Sequence, residues 1–340
     1  MNVQKRLSRT VTLLGLLAVV LAFMPNRAAA QYTVTNLVTN QTDPDLINPW
    51  GMSYSGTGPI WVSDNGTGLA TYYDNNGNKE GTITIPPGSG NGLGSPTGQV
   101  PGCCGDFVIK QGKAHGPASF IFATADGTIS GYNGGVNPNS AVIKINNPGN
   151  SYYGLAMGVD NVIGKLLLFA ADFRNDQVDR FDRWWRGEGS FTDSKLVGLS
   201  VYNVENIGGN LYVAFSDTAV PPTKGAIDMF STHGKLIKHF SKSKKLKGPW
   251  GMALAPANFG PASNALLVGN VGDGTINYFN ATTGKFMGKL KDTNNKVISI
   301  PGLWGLTFGS SGSNGNPSQL FFTGGGATYT TGVYGVINFQ

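Results

Sequence analysis

A short tag, in which Trp-Gly follows Pro or Leu, occurs three times along the chain, at positions 49–51, 249–251 and 303–305. Each copy is followed by an apolar run that ends near Asp, Asn or Thr, then by a Gly-rich turn and a second alternating run. Such a unit cannot bury both of its faces alone, whereas a closed ring of units can. The repeat therefore predicts a circular array of similar β units, with any functional site where the repeats converge.

Six units can be aligned, and each has a central apolar run, at 59–64, 120–126, 166–172, 210–217, 265–270 and 319–323. The roughly 310 residues after position 30 give about 52 residues per unit, close to the ~40–50 of a four-stranded propeller blade. The last unit ends after three strands, and the alternating segment 32–38 is predicted to supply its missing outer strand. The sequence thus predicts one all-β domain over residues 31–340. This domain is a six-bladed β-propeller of four-stranded antiparallel blades, with a ring closed by the N-terminal strand.

The composition also favours an all-β chain. The 50 glycines in 340 residues are about twice the usual ~7% share, and the 13% of charged residues is about half of the usual ~25%. After residue 30 no long stretch has helical periodicity. Many turns, few charges and no amphipathic helix are typical of a β protein.

Residues 1–30 have the order of a signal peptide. A basic stretch (Lys5, Arg6 and Arg9) precedes an apolar run over 11–23, and alanines at 28–30 offer a cleavage site before Gln31. An uncleaved membrane anchor is the alternative, but the run is shorter than the ~20 apolar residues that span a bilayer. We therefore expect an exported protein, periplasmic or extracellular, with no membrane span after signal cleavage.

Removal of the signal changes the charge balance. Four of the 25 Lys and Arg residues lie in it and no Asp or Glu does, which leaves 21 basic against 19 acidic residues. A nearly neutral chain gives no support to a general nucleic-acid-binding role. The expected partner is an unknown small molecule, carbohydrate or protein, and the chain is expected to be a monomer.

The two cysteines, Cys103 and Cys104, are adjacent. Neighbouring Cα atoms lie ~3.8 Å apart, below the ~4.4–6.8 Å span of most disulfides. A disulfide between the two, two free thiols and an intermolecular bridge all remain open, and export favours oxidation. A local structural role is expected rather than catalysis.

Several segments carry a family resemblance: 48–51, 61–68, 95–98, 248–251, 266–274 and 302–306. They resemble the TIGR03118 family, a bacterial family of exported six-bladed propeller proteins, and more distantly NHL-repeat and TolB-type propellers. The resemblance covers nearly the whole chain after the signal, although the adjacent cysteines lie outside the family's pattern. It implies the propeller fold and no particular activity.

The repeats predict a ligand site at one mouth of the central channel. The loops that enter the inner strands bring aromatic side chains there, and the loops after the second strands bring small oxygen-bearing side chains. The aromatic candidates are Trp50, Tyr153, Trp250 and Trp304, and the main polar candidates are Asp64, Asp172 and Asn270, with Asp126, Asp217 and Thr323 at equivalent positions. This set would suit a sugar, a peptide or another neutral ligand. In the alternative interpretation the tryptophans wedge between blades, and the polar residues brace their own turns.

A calcium-dependent hydrolase or lactonase is the alternative function, because calcium-dependent lactonases are propellers of similar outline. Calcium takes ~6–8 oxygen ligands, which Asp64, Asp172 and Asn270 would begin to supply. The chain after the signal has only three glutamates, and Glu205 alone is placed on an inner strand. A carboxylate-rich central site is therefore not expected. No cofactor is expected, with calcium as the one alternative.

No catalytic residue is assigned from the sequence. His115, His233 and His239 are far apart and form neither a metal-binding spacing nor an evident triad.

The segment Arg183-Trp184-Trp185-Arg186 is predicted to lie on the face opposite to Trp50. It either packs within its blade or stacks on a partner.

Overall fold

The computed structural model describes residues 31–340, which form six four-stranded antiparallel sheets arranged as a six-bladed β-propeller. The predicted fold class is confirmed. The predicted signal peptide, residues 1–30, lies outside the described residues. Helical structure in the described part consists of two short 3₁₀ turns, Gly260–Ala262 and Gly312–Asn314. No helix of residues 31–340 has the length and apolar character needed to cross a membrane.

Each blade places its first strand beside the propeller axis and its fourth strand at the rim. The first strand of the chain, β1 (Tyr32–Thr39), belongs to blade 6. Blade 1 contains β2 (Pro49–Ser53), β3 (Ile60–Asp64), β4 (Leu69–Tyr73) and β5 (Lys79–Thr84). Blade 2 contains β6 (Pro96–Pro101), β9 (Phe120–Thr124), β10 (Thr128–Tyr132) and β11 (Val142–Asn146), with the hairpin β7 (Val108–Gln111) and β8 (Ala114–Pro117) inserted after β6. Blade 3 contains β12 (Tyr152–Val159), β13 (Leu166–Asp172), β14 (Gln177–Asp182) and β15 (Gly187–Phe191).

The second half of the ring repeats this order. Blade 4 contains β16 (Ser200–Ile207), β17 (Asn210–Ser216), β18 (Gly225–Ser231) and β19 (Leu236–Ser241). Blade 5 contains β20 (Pro249–Leu254), β21 (Ala265–Asn270), β22 (Ile276–Asn280) and β23 (Phe286–Lys289). Blade 6 contains β24 (Leu303–Phe308), β25 (Leu320–Gly324), β26 (Val333–Phe339) and, as its outer strand, β1.

The hydrophobic core lies between the blades. Second strands such as β13 are apolar along their whole length, and residues 167–171 are fully buried. A continuous apolar run is expected there, because neighbouring blades cover both faces of the strand. At the rim, β19 begins with alternating half-buried and exposed residues, since only one of its faces is covered. The apolar runs of the sequence therefore mark the second strands.

The N-terminal strand closes the ring, as predicted from its alternating pattern. β1 pairs antiparallel with β26, with Tyr32 opposite Phe339 and Val38 opposite Tyr334. The side chain of Tyr32 is buried, and its hydroxyl donates a hydrogen bond of 2.8 Å to the carbonyl oxygen of Phe259 in blade 5. The first described strand thus joins blade 6 and contacts blade 5, so the array has no open end.

A ring of small residues sets the width of the channel. All six inner strands carry a register shift of the β-bulge kind, and in five of them a glycine lies in it or directly after it, namely Gly51, Gly98, Gly154, Gly251 and Gly305. A Cβ atom added at Gly305 would lie only 2.7 Å from the carbonyl oxygen of Trp50 in blade 1. The equivalent residue of blade 4 is Asn203, whose amide donates a 2.7 Å hydrogen bond to the carbonyl oxygen of Trp250. Adjacent inner strands therefore touch, and the residues that precede the bulge glycines meet at one end of the channel.

Candidate functional site

Seven aromatic residues close one mouth of the channel. We call them the mouth cluster: Trp50, Tyr153, Phe173, Tyr202, Trp250, Trp304 and Tyr329. The rings of Trp50 and Trp304 stack with centroids 3.5 Å apart and an interplanar angle of 16°. The ring of Trp250 meets both edge-on, at 6.1 and 5.9 Å. Tyr153 packs edge-on against Trp50 at 5.1 Å. The structure thus brings together the four aromatic residues named from the sequence, and their role in ligand binding stays a prediction.

A pocket of about 230 Å³ opens above the mouth cluster. Six of the seven aromatic residues line it, and Trp250 lies beneath them as part of the floor. Thr218, Val220 and Pro222, from the loop between the second and third strands of blade 4, form one wall. Besides the hydroxyl groups of the tyrosines, the polar side chains of the lining are Asn48, Asp217 and Thr218. A concave, mainly aromatic surface with few polar groups has the character of a small-ligand site.

The indole N–H groups of the cluster differ in their partners. Trp304 Nε1 donates a 3.1 Å hydrogen bond to Asn48 Oδ1, and Asn48 in turn donates to Asn65 Oδ1 at 3.1 Å. The buried Nε1 atoms of Trp50 and Trp250 have no hydrogen-bond partner among residues 31–340. A buried donor without an acceptor costs ~1–3 kcal/mol. Of these two residues, Trp50 lines the pocket, although its Nε1 atom is shielded from solvent.

Three members of the cluster, Phe173, Tyr202 and Tyr329, were not predicted from the sequence, and their positions in the blades explain why. Tyr202 occupies the tryptophan position of the fourth repeat, but Asn203 replaces the glycine that would have marked the tag. Phe173 directly follows Asp172 at the end of β13, and its ring stacks on Tyr153 at 4.7 Å. Tyr329 lies in the loop that follows β25, at the equivalent place in blade 6. Alignment by position rather than by the Trp-Gly tag would have identified Tyr202.

The main polar candidates do not line the pocket. Asp64 accepts hydrogen bonds from the backbone N–H and the hydroxyl of Thr71, at 3.0 and 2.8 Å, and its burial raises its pKa well above the usual range. Asp172 accepts from Ser151 N–H at 3.0 Å and from the amide of Asn175 at 2.6 Å. These bonds brace local turns, which is the second interpretation that the sequence left open.

The side chains of Asn270 and Thr323 are also held by hydrogen bonds to backbone groups. The amide of Asn270 donates to the carbonyl oxygen of Lys245 at 2.8 Å, and its oxygen accepts from Lys247 N–H at 3.1 Å. Thr323 donates to the carbonyl oxygen of Trp50 at 2.6 Å. Of the predicted oxygen-bearing residues, Asp217 is the one that lines the pocket, and it accepts hydrogen bonds from Thr223.

Glu205 lies on the inner strand β16, as predicted, and faces the channel below the mouth cluster. The space beside it is about 10 Å³, close to one water molecule. Burial raises the pKa of Glu205 to about 8, opposed by a long 3.4 Å hydrogen bond from the amide of Asn203.

The calcium alternative receives no support from this geometry. Asp64 and Asp172 are bonded to groups of their own blades, and Asn270 is bonded to Lys245 and Lys247 in the segment that enters blade 5. Within residues 31–340, one group of three His, Cys, Asp or Glu side chains is close enough to hold a metal ion, and it contains none of these residues. Calcium needs several converging oxygen ligands. A calcium-dependent hydrolase is therefore not favoured.

The remaining sequence candidates lie on the opposite face. Cys103 and Cys104 form a disulfide with each other, in the exposed loop before β7. Trp185 is buried, meets Phe107 edge-on at 5.0 Å and donates from Nε1 to the carbonyl oxygen of Val108 at 3.0 Å. It therefore packs on the inserted hairpin. Trp184 is 54% exposed and lies between the guanidinium groups of Arg183 and Arg186.

The fold and the mouth pocket define the class of the protein: a six-bladed β-propeller with an aromatic cluster at one end of its channel. The chain is 30% identical to the uncharacterized protein R648 of Acanthamoeba polyphaga mimivirus, over 91% of this chain and 80% of the viral protein. It belongs to the same family as that viral protein. No protein-family model matches the chain, so the resemblance to the bacterial family stays a prediction.

Solved structures agree on the fold. A streptogramin B lyase superposes with a TM-score of 0.55 over 91% of this chain and 98% of the lyase, at 12% identity. The PQQ-bound aldose sugar dehydrogenase of Streptomyces coelicolor superposes with a TM-score of 0.53 over 91% and 99%, also at 12% identity. At such low identity the likeness concerns the propeller fold alone.

Proposed function

We propose that this protein is an exported, non-catalytic β-propeller that binds a small uncharged ligand in the pocket above the mouth cluster. Membership of the bacterial family of exported propellers is part of the proposal. The ligand class is a sugar ring or a neutral side chain of a peptide or protein partner. The observation that carries the proposal is the pocket itself, a concave surface that six aromatic side chains line with few polar groups.

The size and chemistry of the pocket support this ligand class. A volume of about 230 Å³ lies below the ~300–1,000 Å³ of drug-sized pockets, which suits a single ring or side chain. Flat aromatic faces contact apolar ring surfaces, while Asn48, Thr218 and the three lining tyrosines carry polar groups for hydrogen bonds. A charged ligand would find no oppositely charged side chain in the lining except Asp217.

The lack of a suitable acid–base pair in the lining supports binding rather than catalysis. Among the lining residues, Asp217 is the one carboxylate, and Thr223 already donates two hydrogen bonds to it. General acid–base chemistry on a neutral substrate requires two groups within hydrogen-bond reach of it. Glu205 is below the aromatic floor, separated from the pocket by Trp250.

Calorimetric titration tests the proposal. The probes are glucose, galactose, N-acetylglucosamine and the N-acetyl amides of phenylalanine, tyrosine and tryptophan. We expect saturable binding of at least one probe, and loss of that binding in Phe173→Ala and Tyr329→Ala, which remove half-buried walls of the pocket. Trp184→Ala is the matched control, because it removes an exposed aromatic ring from the opposite face. The absence of saturable binding for every probe, or binding that survives both wall variants, contradicts the proposal.

Export is tested separately. The proposal expects a mature chain that begins at Gln31, so the intact mass of protein recovered outside the cytoplasm should lack residues 1–30. An intact mass that retains Met1 would instead indicate an uncleaved anchor or a protein that is not exported.

A further inference from the structure

Three side chains from two blades meet outside the channel. His239 on β19 is the cross-strand partner of Asp228 on β18, and its Nδ1 lies 3.1 Å from Asp228 Oδ1. Asp193, from the connection between β15 of blade 3 and β16 of blade 4, places its Oδ2 3.3 Å from the same nitrogen. One ligand atom from each residue lies within 4.8 Å of the other two. The strand register of blade 4 and the packing of the blade 3 connection create this group.

The group carries more negative charge than its own residues can neutralise. Asp228 is fully buried and Asp193 is 5% exposed. Asp228 Oδ2 has no hydrogen-bond donor among residues 31–340 and lies near the carboxyl group of Asp193, whose Oδ2 contacts His239 without hydrogen-bond geometry. One imidazole supplies at most one positive charge for two carboxylates. Buried carboxylates without full compensation are costly, so the arrangement favours an additional cation.

The neighbouring charges do not supply that cation. Lys242 is close enough to stabilise the ionised form of Asp193, but within the described residues it makes no salt bridge to it. Asp176 on the adjacent turn adds further negative charge near Asp193.

We propose that Asp193, Asp228 and His239 bind one divalent cation, with Zn²⁺ as the best-fitting ion. Zn–N and Zn–O bonds of ~2.0–2.2 Å at tetrahedral angles place two ligand atoms about 3.4 Å apart. The observed separations from His239 Nδ1 are 3.1 and 3.3 Å. Two carboxylates and one imidazole suit Zn²⁺ better than calcium, which prefers ~6–8 oxygen ligands.

The site would link the connection after β15 of blade 3 to the hairpin formed by β18 and β19 of blade 4. Three protein ligands leave a fourth tetrahedral position for water, and the side chain of His239 is 38% exposed, so that position faces solvent. The role is structural, because the mouth pocket is lined by none of these residues. Bound Zn²⁺ should therefore stabilise the fold and leave ligand binding at the mouth unchanged.

The test uses tag-free protein, stripped with chelator and dialysed, because an affinity tag would itself bind Zn²⁺. Calorimetric titration with ZnCl₂ should show one saturable site, and the thermal midpoint should rise with Zn²⁺. His239→Gln and the isosteric Asp193→Asn should each weaken binding by more than the ~10- to 100-fold that loss of an outer-shell partner costs. Circular dichroism without metal checks that both variants fold.

The control is His233→Gln. His233 pairs with the buried Asp160 at 2.9 Å, but no second carboxylate from residues 31–340 completes a group there. This variant should bind Zn²⁺ as the unmodified protein does. No saturable Zn²⁺ binding by the stripped protein, or binding that His239→Gln leaves intact, overturns the proposal. In that case the contacts of His239 with Asp193 and Asp228 only link the two blades.

Discussion

The indole rings of Trp50 and Trp304 stack face to face with centroids 3.5 Å apart, although one belongs to the first blade and the other to the last. The contact therefore forms only when the ring closes. It couples the closure of the fold to the shape of the mouth pocket, because both residues line that pocket. Changes in ring closure should consequently be detectable at the site.

Trp304→Ala should lower the free energy of unfolding by about 3–5 kcal/mol, the usual cost of emptying a buried aromatic position. Trp304 is 4% exposed and contacts Trp50, Trp250 and Tyr202. Trp184→Ala should cost about 1 kcal/mol or less, since it removes only exposed cation–π contacts. Urea unfolding of the two variants measures the difference, and equal losses would refute the assignment of Trp304 to the core of the mouth.

Gly305→Ala should destabilise the fold by about 1–3 kcal/mol, because the added Cβ would lie 2.7 Å from the carbonyl oxygen of Trp50. The inner strands of blades 1 and 6 would have to move apart. Gly149→Ala is the control, since a Cβ there meets nothing within 4 Å, and it should stay within about 0.5 kcal/mol. Chemical denaturation gives both values, and a neutral Gly305→Ala would show that the inner strands are less tightly packed than described.

Tyr32→Phe should cost about 1–2 kcal/mol, because it removes a buried hydrogen bond and leaves the carbonyl oxygen of Phe259 without that donor. Thr35→Ala, on the exposed part of the same strand, should have little effect. A larger effect for Thr35→Ala than for Tyr32→Phe, measured by thermal unfolding, would contradict the role of β1 as the closing strand.

Glu205→Gln should change how stability depends on pH. The pKa of Glu205 is about 8 in the folded chain against 4.5 for a free glutamate, so the folded state retains a proton that the unfolded state releases. The contribution of Glu205 to stability is therefore fully present below pH 4.5 and is lost as the pH rises to about 8. Relative to Glu205→Gln, the unmodified protein should lose stability across this window and then level off.

Glu80→Gln, at an exposed position of β5, is the matched control and should follow the profile of the unmodified protein. The free energies of unfolding of the unmodified protein and of both variants, measured from pH 4 to 9, test this prediction. Parallel profiles for Glu205→Gln and the unmodified protein would mean that the carboxyl group is not held neutral in the channel.

The blades could be predicted from the sequence because the patterns that mark their strands involve residues close together in the chain. The apolar runs identified the second strands, and the alternation in 32–38 identified the closing strand, since both patterns follow directly from burial on two faces or one. The hairpin of β7 and β8 was missed, because its residues are mostly exposed and carry little alternation.

The site was predicted only in part, because its polar geometry depends on bonds that the sequence does not display. Asp64 lies at the end of its second strand, where the repeat predicted it. Its carboxylate nevertheless accepts a hydrogen bond from Thr71 of the same blade and does not reach the pocket. His239 was set aside because the three histidines are far apart in sequence and form no metal-binding spacing. The register that places it opposite Asp228, and the packing that adds Asp193, exist only in three dimensions.

Fluorine NMR of protein labelled with 5-fluorotryptophan tests the central claim most directly. The chain has six tryptophans, and their resonances can be assigned by single Trp→Phe substitutions. Titration with a sugar or amino-acid amide that binds should shift the resonances of Trp50 and Trp304 and leave those of Trp184 and Trp185 in place. Shifts confined to Trp184 and Trp185 would put the binding site on the opposite face and contradict the account.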